Sequence, residues 1–259
     1  KVGELKEGDK MIIRHMVLPI EDENTTTVRI NDSDVLDIYR MELLELNLLN
    51  VRIPTYKLKI IARLIGALNT DGHIGVMDGI SVAKIQKENP NITYYSSSFN
   101  IGEEYDVFQL ADDIKTLGFG QVSIRRRTTK FEDKINGRIT LATTWEVSKS
   151  GAFSYLMSLM GGFVGKKTNM KRKIPEWLMN AEPSIKREFL SAFQGGDGSK
   201  LSFQKNVNTY KPSLGITHQT TIDDCLDDTI EYMTQITTLF KEFNIDCHLN
   251  TVKVDENKS

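Results

Sequence analysis

Leu64-Ile65-Gly66-Ala67-Leu68-Asn69-Thr70-Asp71-Gly72 and Leu190-Ser191-Ala192-Phe193-Gln194-Gly195-Gly196-Asp197-Gly198 repeat one pattern. Each is an apolar, helix-like run that ends in Asp-Gly. Small residues stand at the third and seventh positions: Gly66 and Thr70 in one stretch, Ala192 and Gly196 in the other. Those positions are i, i+4 neighbours on one helix face. Small side chains there let two helix backbones approach closely and pack. Two helices joined in this way would end side by side and deliver Asp71 and Asp197 to one place, with the following glycine ending each helix.

The aspartates are 126 residues apart, and the same offset recurs further along. Val107, Leu110, Ile114, Leu117 and Phe119 map onto Met233, Ile236, Phe240, Phe243 and Ile245. That set has helical spacing followed by a strand start. Gly118 maps onto Asn244, the two residue types that most readily take the left-handed conformation ending a helix. A helix face, its cap and an Asp-Gly in one register predict a duplicated chain.

A length of 259 residues with 39% hydrophobic content is enough to bury a substantial core in one large or two modest domains. Cys225 and Cys247 form no disulfide framework and no metal-ligand spacing, which points to an intracellular, reducing setting. No apolar run approaches the roughly 20 residues that span a bilayer. The net charge of −2 excludes a uniformly basic surface, yet residues 119–175 hold 12 Lys/Arg against 3 Asp/Glu. Arg125-Arg126-Arg127 and Lys166-Lys167 with Lys171-Arg172-Lys173 dominate that stretch. Such clusters suit phosphate neutralisation on an otherwise acidic molecule.

Residues 1–33 read as a β-rich piece, with a turn at Gly8-Asp9, apolar Met11-Ile12-Ile13 and Val17-Leu18, and Pro19 closing it. Asp32-Ser33-Asp34 offers an N-cap for a helix from Val35 through Leu46. The first half, 34–175, then reads as a motif helix over 57–70, a strand pair to about 85 turning at Met77-Asp78-Gly79, and a strand at 98–101. A helix over 103–117, strands at 122–128 and 139–147 and a helix over 152–160 complete it. A Gly- and Lys-rich connector, 161–173, joins the second half, 176–259. That half has its motif helix over 185–196 and a strand-like 201–217 turning at Lys211-Pro212. A helix opened by Asp223 and Asp224 covers 222–243, and a strand begins at 247–254. With the offset removed, Ser259 corresponds to Asp133, so the second half stops short and the chain is expected to be a segment of a longer one.

Two carboxylates in one site call for a proton or a cation. Hard oxygen ligands suit Mg²⁺, which favours phosphate oxygens. Phosphodiester hydrolysis by metal-activated water is the chemistry that follows. The antiparallel strands of a duplex present two scissile phosphates related by a twofold axis, as a twofold pair of acids requires. A lone Asp-Gly is ordinarily a turn, so the pairing is what carries the reading. Neither stretch has the frame of a calcium-binding loop. His15, His73, His218 and His248 show no metal or triad spacing. Gly161-Gly162 with Gly165-Lys166-Lys167 lacks the spacing of a phosphate-binding loop.

The two motifs resemble those of the LAGLIDADG homing endonucleases in their two-motif, single-chain form, over residues 34–259. A closer likeness is to the endonucleases embedded in inteins. It rests on Gly3-Glu4-Leu5-Lys6-Glu7-Gly8-Asp9-Lys10, on Leu43-Leu44-Glu45-Leu46 and Ile60-Ile61-Ala62-Arg63 leading into the first motif, and on Arg172-Lys173-Ile174-Pro175 before the second. The resemblance implies an α+β fold of two αββαββα halves with pseudo-twofold symmetry and saddle-shaped antiparallel sheets. A small β piece of an intein splicing (Hint) domain would precede them. It implies site-specific double-strand DNA cleavage dependent on Mg²⁺ or Mn²⁺, by a monomer that is an internal pseudo-dimer. Asp71 and Asp197 would be the catalytic, metal-binding acids, with Gly72 and Gly198 beside the metal. Asn69 and Gly195 stand where the family often has an acid. The family's catalytic lysine falls on Arg172, and since arginine is a poor proton carrier, Lys173 takes the basic role in this reading. DNA contacts would come from Lys84, Gln86, Arg125, Arg127, Lys166, Lys167, Lys171, Lys200, Gln204 and Lys253. The splicing residues, a leading Cys or Ser and a closing His-Asn, are not in this segment, so flanking splicing segments and a host protein would supply them. The alternatives are an inactive intein remnant, or a nucleic-acid-binding or maturase protein of the same fold.

Overall fold

The computed structural model describes residues 25–77, 93–132, 139–199, 202–206, 209–213, 215–217 and 225–251. In chain order the first elements are α1 (Asp37–Glu45), α2 (Thr55–Asn69), β1 (Gly72–Met77), β2 (Tyr94–Ile101) and α3 (Glu104–Thr116). Next come β3 (Ser123–Glu132), β4 (Ile139–Ser150), α4 (Ala152–Met160) and a one-turn α5 (Glu176–Met179). The chain continues with α6 (Pro183–Asp197), β5 (Ser202–Asn206), β6 (Thr209–Ser213) and α7 (Leu226–Glu242). The class is α+β, with one antiparallel sheet in the order β1-β2-β4-β3 and a separate β5-β6 pair.

Register decides which side of the larger sheet is dry. Gly72, Phe99, Val147 and Ile124 lie opposite one another in one row, and Ile74 and Ser97 in the next. Residues opposite one another share a face, so these rows mark one side. Ile74, Phe99 and Val147 are fully buried there, under α2, α3 and α4. The other face is polar: Asn100, Glu146 and Arg125 form one of its rows.

Helix α2 is apolar almost all round because it runs between the sheet and α6; Leu58, Ile61, Leu64, Ile65 and Leu68 are all buried. Helix α6 buries one face only, Ile185, Phe189 and Phe193 at four-residue spacing with Lys186 and Leu190 beside them. Pro183 opens it, where a missing N–H costs nothing. The two helices meet through the small motif positions. A Cβ at Gly66 would stand 2.5 Å from the Phe189 carbonyl oxygen and 3.0 Å from Ala192 Cβ, and one at Gly196 would run into the Thr70 hydroxyl. Residues 126 apart therefore touch one another.

Helix ends recur at the same interval. Gly118 closes α3 at φ +103° and Asn244 closes α7 at φ +58°. The Phe119 N–H donates to the Ile114 carbonyl at 3.2 Å, and the Ile245 N–H to the Phe240 carbonyl at 3.2 Å. These are the 6→1 bonds that seal a helix C-terminus behind a left-handed residue.

Several local expectations are corrected. Asp32–Asp34 is a short 3₁₀ turn rather than an N-cap. Helix α1 begins at Asp37 behind Leu36, whose N–H donates to the Tyr155 hydroxyl at 3.1 Å, so a distant side chain replaces the local cap. Lys211 and Pro212 lie inside β6, not in a turn, because an edge strand tolerates proline. Residues 247–251 form no strand. The turn at 77–79 and the strand to 85, the opening of the last helix at Asp223 and Asp224, and residues 1–24 of the expected β-rich piece lie wholly or largely outside the described residues. Its described end packs on the body. The Ile53 N–H donates to the Val28 carbonyl at 3.0 Å, and the Thr26 N–H to Glu182 Oε1 at 3.0 Å.

Candidate active site

The two motif helices end differently. The Thr70 hydroxyl closes α2 by donating to the Gly66 and Ala67 carbonyls at 3.1 and 3.2 Å, groups a helix end leaves without partners. Asp71 therefore sits in the turn between α2 and β1, open to solvent as a residue but with its carboxyl losing part of its hydration against the helix ends. Its carbonyl accepts the Asn100 backbone N–H and side-chain amide, each at 3.3 Å. Gly72 enters β1 opposite Phe99 rather than ending the helix. A Cβ there would stand 2.6 Å from Leu68 Cα, so close approach is what requires glycine. Helix α6 carries Asp197, half-buried, as its last residue. Gly198 caps it, donating to the Gln194 carbonyl at 3.0 Å and bridging Ile216.

The connector after α4 crosses these helix ends because Asn69 holds it there. Fully buried, Asn69 accepts the Phe163 N–H at 3.1 Å and donates to the Gly161 carbonyl at 3.5 Å. The Gly165 N–H donates to the Ile74 carbonyl at 2.8 Å, laying the segment beside β1. Lys167 follows, half-buried, and its ammonium donates to the Leu68 carbonyl at 3.3 Å and to the Thr70 carbonyl.

The structure brings Asp71, Asp197 and Lys167 into one electrostatic neighbourhood. Burial first, then the Asp197 carboxylate, push the Asp71 carboxyl up from its ordinary value, and Lys167 draws it back in part. Burial pulls the Lys167 ammonium down, while Asp197 and Asp71 oppose the fall. Arg172 lies behind them, buried, donating to Thr229 Oγ1 at 3.0 Å with its guanidinium 5.7 Å from the Tyr232 ring centre. Burial drives the Tyr232 hydroxyl far up. Lys173 is exposed, since 171–174 alternates outward and inward as an extended segment does.

Of the remaining candidates, Arg125 and Arg127 project from the polar sheet face, Arg127 paired with Glu146. The Asp71 backbone, bonded to Asn100, continues that face's row of Asn100, Glu146 and Arg125. Lys166 is exposed, and Lys171 pairs with Asp228 at 3.3 Å. Gln204 falls in β5 opposite Lys211. Lys84, Gln86, Lys200 and Lys253 lie outside the described residues. Sequence reading missed Asn69 and Tyr232. The signal available for Asn69 was an amide where the resemblance leads one to expect an acid.

Among the described residues no three His, Cys, Asp or Glu side chains gather into a metal-ion cage. The chain itself offers two carboxylates. That fits Mg²⁺, which is commonly held by one or two carboxylates and completed by phosphate oxygens and water. No helix among the described residues is long and apolar enough to cross a membrane.

Comparison with known proteins gives relatives under several names. The chain is 26% identical to the tRNA-splicing ligase RtcB of Methanopyrus kandleri over 99% of its length and 24% of the ligase's. It is 26% identical to the DNA-directed RNA polymerase subunit Rpo1N of Methanocaldococcus jannaschii over 99% of this chain and 19% of the subunit. A replication factor C small subunit of the same organism is 27% identical over 77% of this chain and 10% of its own length. The chain thus spans about a quarter of the first relatives it matches. No family model matches. Among solved structures, the homing endonuclease I-WcaI bound to its DNA recognition sequence is similar at 14% identity and TM-score 0.43, over 88% of this chain and 85% of that one. I-DmoI in complex with DNA and Mn is similar at 12% identity and TM-score 0.41, over 78% and 85%.

Proposed function

We propose that this chain is a divalent-metal-dependent, site-specific DNA endonuclease of the LAGLIDADG type, carried as an intein insert within a host protein. The observation that supports the reading is the contact of α2 with α6 at Thr70 and Gly196, the residues directly before Asp71 and Asp197, so that both acids leave neighbouring helix ends. Helices meeting through residues 126 apart, and helix caps that repeat at that interval, support a duplicated chain with a local twofold axis. A twofold pair of acids matches the two strands of a duplex.

Asp71 and Asp197 would hold Mg²⁺ or Mn²⁺. Such an ion supplies an activated water and stabilises the leaving oxygen. The residues of this chain do the positioning. Asn100 fixes the backbone of Asp71, Asn69 fixes the connector, and Lys167 offsets part of the negative charge. Arg125 and Arg127, on the same face as the row through Asp71, would meet phosphates. The relatives support the insert reading. A ligase, a polymerase subunit and a replication factor share this stretch over a quarter or less of each, so its activity is assigned independently of their three tasks.

The test is cleavage of a randomised duplex library with Mg²⁺, followed by sequencing of the ends. The wild-type chain should select one site and cut both strands. Asp71→Asn and Asp197→Asn should each lose double-strand cleavage while still binding the selected duplex. Cleavage at the wild-type rate by either variant overturns the assignment.

A further inference from the structure

The resemblance assigns the basic residue of the site to the position of Arg172. That guanidinium is committed elsewhere: 4% exposed, bonded to Thr229 and lying over Tyr232. The lysine that reaches the end of α2, next to Asp71, is five residues upstream. Lys167 leaves the connector in a 3₁₀ turn, Lys167–Asn169, and its ammonium rests on the carbonyls of Leu68 and Thr70.

Those carbonyls are among the acceptors that the end of α2 leaves without N–H partners, and a helix C-terminus carries partial negative charge. Asp71 follows Thr70 directly. Gly196 lies against Thr70, which brings the end of α6 and Asp197 to the same spot. One ammonium is thus tethered where two helix C-termini meet, one leading into Asp71 and the other ending on Asp197. It stands where a metal ion would be expected to settle, and its own charge opposes the entry of another cation.

Building on the nuclease reading above, we propose that Lys167 is an internal counter-cation for Asp71 and Asp197, a placeholder that a divalent ion must displace. Without a divalent ion the ammonium offsets the charge of the two acids. The ammonium would leave the Leu68 and Thr70 carbonyls when the acids hold a divalent ion. Metal affinity is consequently set by a competition inside the chain.

Calorimetric titration of duplex-free protein with Mn²⁺ at fixed pH and salt tests this. Lys167→Gln keeps a donor for the two carbonyls and drops the charge, so it should bind Mn²⁺ on the order of tenfold more tightly, within the usual range for coupled sites. Lys167→Arg should stay near wild type, and Asp71→Asn should lose the binding. An unchanged or weaker affinity in Lys167→Gln, alongside loss in Asp71→Asn, overturns the placeholder and leaves the metal site standing. Unchanged binding in both Asp71→Asn and Asp197→Asn overturns the metal site itself. A second measurement needs no variant: acylation of Lys167 in the wild-type protein, followed by mass spectrometry, should speed up when Mn²⁺ is added. A rate that is unchanged or lower counts against displacement.

Discussion

Asp71 works against the metal-free fold at neutral pH. Its carboxyl is pushed up by burial and then by Asp197, so the folded state binds the proton more tightly than the unfolded chain. The stabilisation from protonation is therefore present at acid pH and lost as pH rises through the raised value. Asp71→Asn removes the charge and nearly keeps the shape. Without metal it should melt at a higher temperature than wild type at pH 7, and the gap should close as the pH falls below about 3.9, the ordinary aspartate value. Thermal melts across that range, with chelator present, decide it; a constant gap, or a wild type more stable at pH 7, refutes the strain. Asp71 and Asp197 stand out in the sequence as candidates because a repeated Asp-Gly behind an apolar run is a local signal. Lys167 was visible only as one charge in a basic stretch, since its role depends on where Asn69 pins the connector. That bond joins residues 94 apart, and no local spacing encodes it.

At the scale of elements, the small motif positions are a packing requirement, and two glycines show the difference. Gly66→Ala should gain about 1 kcal/mol of helix propensity. Its Cβ would stand 2.5 Å from a backbone oxygen of α6, which moves only if the helix moves. Overpacking of that kind costs about 1–3 kcal/mol, so the variant should lose stability by up to roughly 2 kcal/mol net. A Cβ at Gly195, in α6, would meet nothing within 4 Å, and Gly195→Ala should gain up to about 1 kcal/mol. Urea denaturation of the pair measures both; a stabilised Gly66→Ala would mean the helices do not meet as described. Helices proved the most legible elements: apolar periodicity placed α2, α3, α4 and α6 within two residues of their ends. The cap of α1 was misread because the N–H of Leu36, just before the helix, is satisfied by Tyr155, 119 residues away. The Lys211-Pro212 turn was misread because proline's preference for turns is outweighed in an edge strand.

Across the whole molecule, one basic stretch is divided among three places. Arg125 and Arg127 lie on the open sheet face, Lys167 sits on the carbonyls that end α2, and Arg172 is buried. The sequence revealed the charge but not this division, because faces follow from strand register, and register is fixed by which residues pair across the sheet. Division has a measurable consequence for duplex binding. Each lysine or arginine that neutralises a phosphate steepens the fall of log K with log salt by about 0.9. Arg125 stands opposite Glu146, but the ion pair to Glu146 is made by Arg127. Arg125→Ala should therefore weaken binding and flatten the slope by about one. Arg127→Ala should do less, since part of its charge is already spent on a carboxylate. Glu146→Gln should strengthen binding by freeing Arg127. Fluorescence anisotropy on one duplex at several salt concentrations gives all three slopes. An Arg125→Ala slope equal to wild type would mean that the polar face, although it runs on from Asp71, is not where the phosphates lie.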